Sequence, residues 1–190
     1  ELLTGGMEEG TVTWLTGITG LPATDVVIDL QFQNTPDRIE ALQKAAFVMI
    51  NSVAETTAET DPSFVRINGW NGFLKNSMIE AAGNEAAKET AVEALSRLNK
   101  NAEWLPDEPG FVTPRVISMI INEAYHALSE GVSTKEEIDT AMKLGTAYPF
   151  GPFEWSEKIG LKNIEALLHR LSATNTRYTP CPLLEKEATI

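Results

Sequence analysis

The chain has 190 residues, with 15 Lys+Arg against 27 Asp+Glu, two His and one Cys. That length suits one large domain or two small ones, and 43% hydrophobic with 22% charged residues is an ordinary globular composition. A net charge of −12 argues against nucleic-acid phosphates and anionic membrane surfaces as partners, and no run of 18 apolar residues exists to span a bilayer. A single Cys closes no internal disulfide, which points to a reducing, cytoplasmic setting. The start, Glu-Leu-Leu, has neither an initiator Met nor a signal-peptide pattern, so a trimmed chain is expected.

In chain order, Thr11–Thr16 reads as a strand closed by Gly17 and Gly20, and Asp25–Leu30 as a second strand covered on both faces. Thr35 and Pro36 then open a helix, as N-cap and first helical residue, that turns Ile39, Leu42 and Ala46 inward. Phe47–Ser52 and Phe64–Asn68 are the next strands, residues 85–100 an amphipathic helix, and Glu103–Leu105 a short strand. Strands alternating with helices imply βαβ units and a mainly parallel sheet. Beyond Gly110 the β signal stops. Residues 111–130 predict a long helix ended by Gly131, and Ser133-Thr-Lys-Glu-Glu137 offers overlapping capping boxes for a helix that Gly145 ends. Two further helices are expected around 152–159 and 162–172, then an extended tail from Thr174. The boundary falls near residue 108, with an α/β half before it and a helical half after it.

Histidine, the usual base near neutral pH, is scarce. His126 lies beside Asn122, Glu123 and Glu130, on the wetter side of a helix whose apolar stripe is 117, 120, 121, 124 and 128. His169 is off the stripe of 164, 167, 168 and 171, so both read as surface histidines. No clustered Cys/His pattern suggests a metal site. No G-x-G-x-x-G follows a strand, and neither a P-loop nor a G-x-S-x-G elbow is present. Gly17-Ile-Thr-Gly20 has the place of a βα turn but not the tight-turn spacing.

Two groups of segments go beyond the generic. Phe64-Val-Arg-Ile-Asn-Gly-Trp-Asn-Gly-Phe73 leaves a strand into a Gly/Asn-rich turn, where α/β proteins build sites, with Glu80 following. The others are Pro109-Gly-Phe-Val-Thr-Pro-Arg115, Asn122-Glu-Ala124, Glu130-Gly-Val132, Ile138-Asp-Thr-Ala-Met-Lys-Leu-Gly145 and Tyr148-Pro-Phe-Gly-Pro-Phe153. Together, from about residue 23 to 172, they resemble the 3-hydroxyacyl-CoA dehydrogenase family. In the first half, Ala23-Thr-Asp-Val-Val-Ile-Asp29 looks like its A-D-x-V-I-E strand, Asn51-Ser like the start of its S-N-T-S-S turn, and Ile67 to Glu80 like its L-H-F-F-N-P…E stretch.

The resemblance implies an α/β fold: a truncated Rossmann-like, mainly parallel sheet over residues 1–108, then an all-α domain of the 6-phosphogluconate-dehydrogenase C-terminal type over 109–190. In the mechanism it implies, a His takes the 3-hydroxyl proton while hydride leaves C3 for the nicotinamide, and a Glu holds the imidazole. Here the His position is Asn68 and the Glu is kept as Glu80. The Ser that touches substrate oxygen becomes Ala54, the Asn of G-F-x-x-N-R becomes Pro114, and the cofactor-side Glu falls near Gln33. The Asn of F-N-P survives as Asn71. The 22 residues before Ala23 are too few for the family's Gly-rich turn with its following strand and helix. Carried over, the catalytic positions are Asn68, Glu80 and Asn71, and the substrate-binding positions Ala54, Asn71 and Pro114. An amide has no accessible proton-accepting pKa, and losing a positioned base costs about 10²–10⁴-fold in rate.

The expectation is a degenerate 3-hydroxyacyl-CoA dehydrogenase homologue that keeps an acyl-CoA-type cleft, without a bound cofactor. One alternative is an active, NAD-dependent 3-hydroxyacyl-CoA (3-hydroxybutyryl-CoA) dehydrogenase with an altered site or with residues upstream of Glu1. The other is a non-catalytic dimerisation or partner module. A homodimer through the helical half is expected, because 116–128 carries more large apolar side chains than one buried stripe needs.

Overall fold

The computed structural model describes residues 12–18, 21 and 26–189. The chain divides into two compact units, Glu1–Phe111 and Val112–Ile190. The first is built on a five-stranded sheet in the order β1 (Val27–Asp29), β2 (Val48–Asn51), β3 (Val65–Ile67), β4 (Met78–Ala82), β5 (Asn101–Trp104). β1, β2 and β3 pair in parallel, β3 and β4 are antiparallel, and β5 runs parallel to β4. The mainly parallel sheet is therefore present.

Side-chain alternation along β2 shows why the central strands read as continuous apolar runs. Val48 and Ile50 face a core with Phe64 and Leu42, the latter from helix α1 (Pro36–Leu42). Met49 faces the opposite core with Val65 and Ile67, covered by Ala91, Ala94 and Leu95 of helix α2 (Lys88–Arg97). A strand buried on both faces has no polar side to reveal its period. Each large apolar side chain so buried contributes about 1.5–3 kcal/mol.

Several expectations are corrected. Residues 12–16 pair with no strand, and Trp14 and Leu15 are exposed, so the β-prone composition there finds no ladder; Thr11 lies outside the described residues. The second strand shortens to Val27–Asp29, with Asp25 outside the described residues. α1 stops at Leu42, which leaves Ala46 exposed, and Thr35 is its N-cap without a side-chain bond. The 85–100 helix begins as a single 3-10 turn, Glu85–Ala87, capped by Asn84, and its α-helical part ends at Arg97. β4 falls in a stretch whose sequence signals only a turn and a carboxylate: Met78-Ile-Glu-Ala-Ala82 has little β-branched character, and its pairing with β3 creates the strand.

The second unit is helical: α3 (Thr113–Ser129), α4 (Lys135–Thr146), α5 (Pro152–Ile159), α6 (Leu161–Ser172) and α7 (Pro182–Ala188). Thr134 and Glu137 make the expected capping box on α4. α4 runs through Gly145 to Thr146, and Ala147 (φ 56°) ends it in the left-handed region. The tail is not extended. A 3-10 turn, Thr176–Tyr178, leads into α7, whose Leu184 and Ala188 are buried together with Cys181.

Two family-like motifs hold this unit together. The Asp139 carboxylate accepts from the Phe153 and Glu154 backbone N–H groups at 2.8 and 3.1 Å, capping α5 from another helix. Gly151 is needed there because a Cβ would collide with Asp139. Asn122 donates to the Thr179 carbonyl at 3.0 Å and accepts from the Cys181 N–H at 2.7 Å, which binds the tail to α3. No helix among the described residues is long and apolar enough to cross a membrane.

Candidate functional site

Asn68 and Glu80 meet because β3 and β4 are neighbours. The register sets Ile67 opposite Ala81, and the next step brings the Asn68 backbone N–H to the Glu80 carbonyl at 2.9 Å. Their side chains bond as well, Asn68 Nδ2 donating to Glu80 Oε2 at 2.9 Å. A carboxylate only accepts, so it fixes which end of the amide faces it. The Asn68 Oδ1 is thereby turned to the Trp70 N–H, at 3.3 Å. Asn68 is buried and Glu80 half-buried.

Asn51, the last residue of β2, ties three strand ends together. Its Oδ1 accepts from the Gly69 N–H at 3.0 Å and its Nδ2 donates to the Leu30 carbonyl at 3.2 Å. The approach is so close that a Cβ on Gly69 would lie 2.6 Å from the Asn51 Cγ. Asn51 thus sets the chain on either side of Asn68. Ala54 lies half-buried in the bend past the carboxyl end of β2, next to β3 in the sheet. Asn71 is exposed in the turn after β3. Pro114 is buried in the first turn of α3, within the helical unit, and its ring supplies no hydrogen-bonding group.

The residue that sequence reasoning passed over is Arg66, fully buried in β3. Its Nε donates to Asp107 Oδ1 at 2.6 Å and its Nη2 to the Glu108 carbonyl at 3.0 Å. Its Nη1 reaches the carbonyls of Ser52 at 3.0 Å, Val53 at 3.5 Å and Glu55. Phe111 covers the guanidinium at 4.7 Å from its ring centroid. Burial pushes this guanidinium below its usual pKa, and Asp107 works in the opposite direction. Asp107 in turn accepts from the Thr57 N–H at 2.9 Å and hydroxyl at 2.6 Å. One cation therefore fastens the bend after β2 to the segment after β5. The available signal was a lone Arg amid Phe64, Val65 and Ile67.

The histidines are elsewhere. His126 is half-buried on α3, and His169 is exposed on α6, 3.0 Å from Glu185. Among the described residues no three His, Cys, Asp or Glu side chains gather as metal ligands. Among the described residues no atom lies near the position of a Cβ on Gly17, and Gly20 is outside the described residues.

Residues 110–189 match the family model for the 3-hydroxyacyl-CoA dehydrogenase C-terminal domain. The chain is 39% identical over 110 residues to the 3-hydroxyadipyl-CoA dehydrogenase of Escherichia coli K12, covering 57% of this chain and 23% of that protein. It is 35% identical over 144 residues to the 3-hydroxybutyryl-CoA dehydrogenase of Bradyrhizobium diazoefficiens, covering 71% of this chain and 49% of that one. The crystal structure of (S)-3-hydroxybutyryl-CoA dehydrogenase from Ralstonia eutropha superposes with a TM-score of 0.75 at 24% identity, over 92% of this chain and 69% of that chain, a likeness of fold. The chain spans 23% and 49% of the length of these two curated relatives. Sheet unit, helical unit and motif order agree with those of 3-hydroxyacyl-CoA dehydrogenases, and residues 110–189 match the C-terminal domain of that family.

Proposed function

We propose that the chain is a 3-hydroxyacyl-CoA dehydrogenase homologue that binds an acyl-CoA-type ligand without ordinary NAD-dependent turnover. The observation that supports this is the Asn68–Glu80 pair at 2.9 Å, an amide on a carboxylate where the resembled mechanism needs an imidazole. The amide cannot take the proton of a 3-hydroxyl, and Ala54 offers no hydroxyl to its oxygen. In the family, NAD supplies the hydride acceptor. Among the described residues Gly17 lies in open space rather than in a cradle a Cβ would fill, so no step is routed through the dinucleotide.

The test is calorimetric titration of the chain with acetoacetyl-CoA and with NADH, beside an assay of 3-hydroxybutyryl-CoA oxidation. Acyl-CoA binding with turnover at least about 10²-fold below an ordinary family enzyme is expected. Robust turnover refutes the reading and makes Glu80 the candidate base. Binding of neither ligand favours a purely structural module. NADH production gained by Asn68→His with Ala54→Ser shows that only the reacting groups have changed.

The helical unit also carries exposed apolar side chains, Val116 on α3 and Leu144 on α4. We propose a second copy of the chain as the partner that covers this unit. Light scattering at micromolar concentration checks it, and a monomer mass refutes it. The lone, buried Cys181 supports a cytoplasmic setting.

A further inference from the structure

The buried guanidinium of Arg66 decides where a short piece of backbone points. It draws in the carbonyl oxygens of Ser52 at 3.0 Å and Val53 at 3.5 Å, and the Val53 oxygen also accepts from the Gly110 N–H at 2.8 Å. None of the described peptide bonds is cis. In a planar trans peptide the C=O of one residue and the N–H of the next point in opposite directions. The N–H groups of Val53 and Ala54 are therefore directed away from Arg66. The next such pair shows what this orientation is worth. Arg66 also holds the Glu55 carbonyl, and the Thr56 N–H on its far side is taken by the Glu59 carboxylate at 2.9 Å. Among the described residues, no backbone carbonyl meets the N–H groups of Val53 and Ala54.

These two donors sit past the carboxyl end of β2, a central strand of the parallel part of the sheet. Ligands of open α/β sheets bind at such strand ends. We propose that the backbone N–H groups of Val53 and Ala54, oriented by Arg66, form a hydrogen-bonding site for the acyl oxygen of a thioester ligand. The inference rests on the acyl-CoA reading above and deepens it: backbone amides supply donors for the thioester oxygen, a different atom from the 3-oxygen that a hydroxyl at Ala54 would have met. Backbone N–H groups held towards one oxygen are donors of the kind oxyanion holes use, and they need no titrating side chain. Arg66 is then a positioning residue, since it meets the carbonyls and not the ligand.

The experiment is amide NMR of the full chain titrated with acetoacetyl-CoA and, separately, with CoA, together with calorimetry of three variants. The Val53 and Ala54 amide protons are expected to move downfield with acetoacetyl-CoA and not with CoA. Ala54→Pro removes one N–H and is expected to weaken acetoacetyl-CoA binding at least tenfold with CoA binding unchanged. Ala54→Gly keeps the N–H and is expected to weaken acetoacetyl-CoA binding less than Ala54→Pro does. Arg66→Lys tests orientation and is expected to weaken acetoacetyl-CoA binding alone. Unmoved amide protons at 53 and 54 in a chain that does bind acetoacetyl-CoA overturn the site but leave the acyl-CoA reading standing, and this readout does not depend on whether Ala54→Pro folds. A chain that binds acetoacetyl-CoA no better than CoA overturns both.

Discussion

Replacing Asp107 with Ala isolates the stability that passes through Arg66. The Arg66 side chain is fully buried and that of Asp107 is 24% exposed, at a separation of 2.6 Å. The substitution leaves a buried cation without its counter-charge, and breaking a buried pair costs about 3–5 kcal/mol. Water can enter where Asp107 was partly exposed, so the low end, about 3 kcal/mol, is expected. Arg66→Met reaches a similar cost by another route. It keeps most of the packed stem but removes the donor from the carbonyls of Ser52, Glu55 and Glu108, at about 1 kcal/mol each. The Val53 oxygen keeps the Gly110 N–H. Changing both residues, Arg66→Met with Asp107→Leu, is expected to cost less than the sum, because no charge is then left buried alone. Urea denaturation followed by hydrogen exchange at β3 amides reads the α/β unit separately from the helical one. A cost for Asp107→Ala below about 1 kcal/mol refutes the assignment of Arg66 as the organising cation.

Gly69→Ala is expected to destabilise the α/β unit by about 1–3 kcal/mol through overpacking on Asn51, and Asn51→Ala in the same chain should recover part of that loss in urea titrations. Asp139→Ala removes the cap from two N–H groups of α5 and is expected to cost the helical unit about 1–2 kcal/mol in the same measurement. Burial alone would raise the Glu187 carboxyl, but hydrogen bonds from Lys135 and Tyr125, at 2.6 and 2.9 Å, outweigh it and hold the group below its ordinary value of 4.5. A lowered carboxyl pKa means stability that is present above the unfolded value and is lost as pH falls through the folded one. The helical unit should therefore weaken below about pH 4.5, and Glu187→Gln should flatten that slope; an unchanged acid profile contradicts the assignment. Tyr125 moves the other way. Burial first and the Glu187 bond second raise its phenol pKa, so its contribution should fade as pH climbs above about 10.

Much of this protein was legible in one dimension, because its signals are local. The alternation of short apolar strands with amphipathic helices is a matter of period, and Thr134 with Glu137 completes a cap within one turn. The motifs around Asp139 and Gly151 could be read as a family resemblance, although only the fold explains them, as a carboxylate capping a helix from another element. The pairing of Asn68 with Glu80 was anticipated by overlay rather than by spacing. What brings them together is β4, a strand whose Met-Ile-Glu-Ala-Ala composition carries little β preference until β3 offers its edge. By composition α7 belongs to an extended tail, because Pro182 and the nearby threonines are loop residues, whereas burial of Cys181, Leu184 and Ala188 outweighs that local preference. Arg66 is the clearest case. A charged residue in a strand implies a solvated face by composition, and the carbonyls that make its burial tolerable come from residues 11 to 42 positions away in the chain. Local sequence sets propensity and period, while the fate of a buried charge depends on partners that only the folded chain brings within reach.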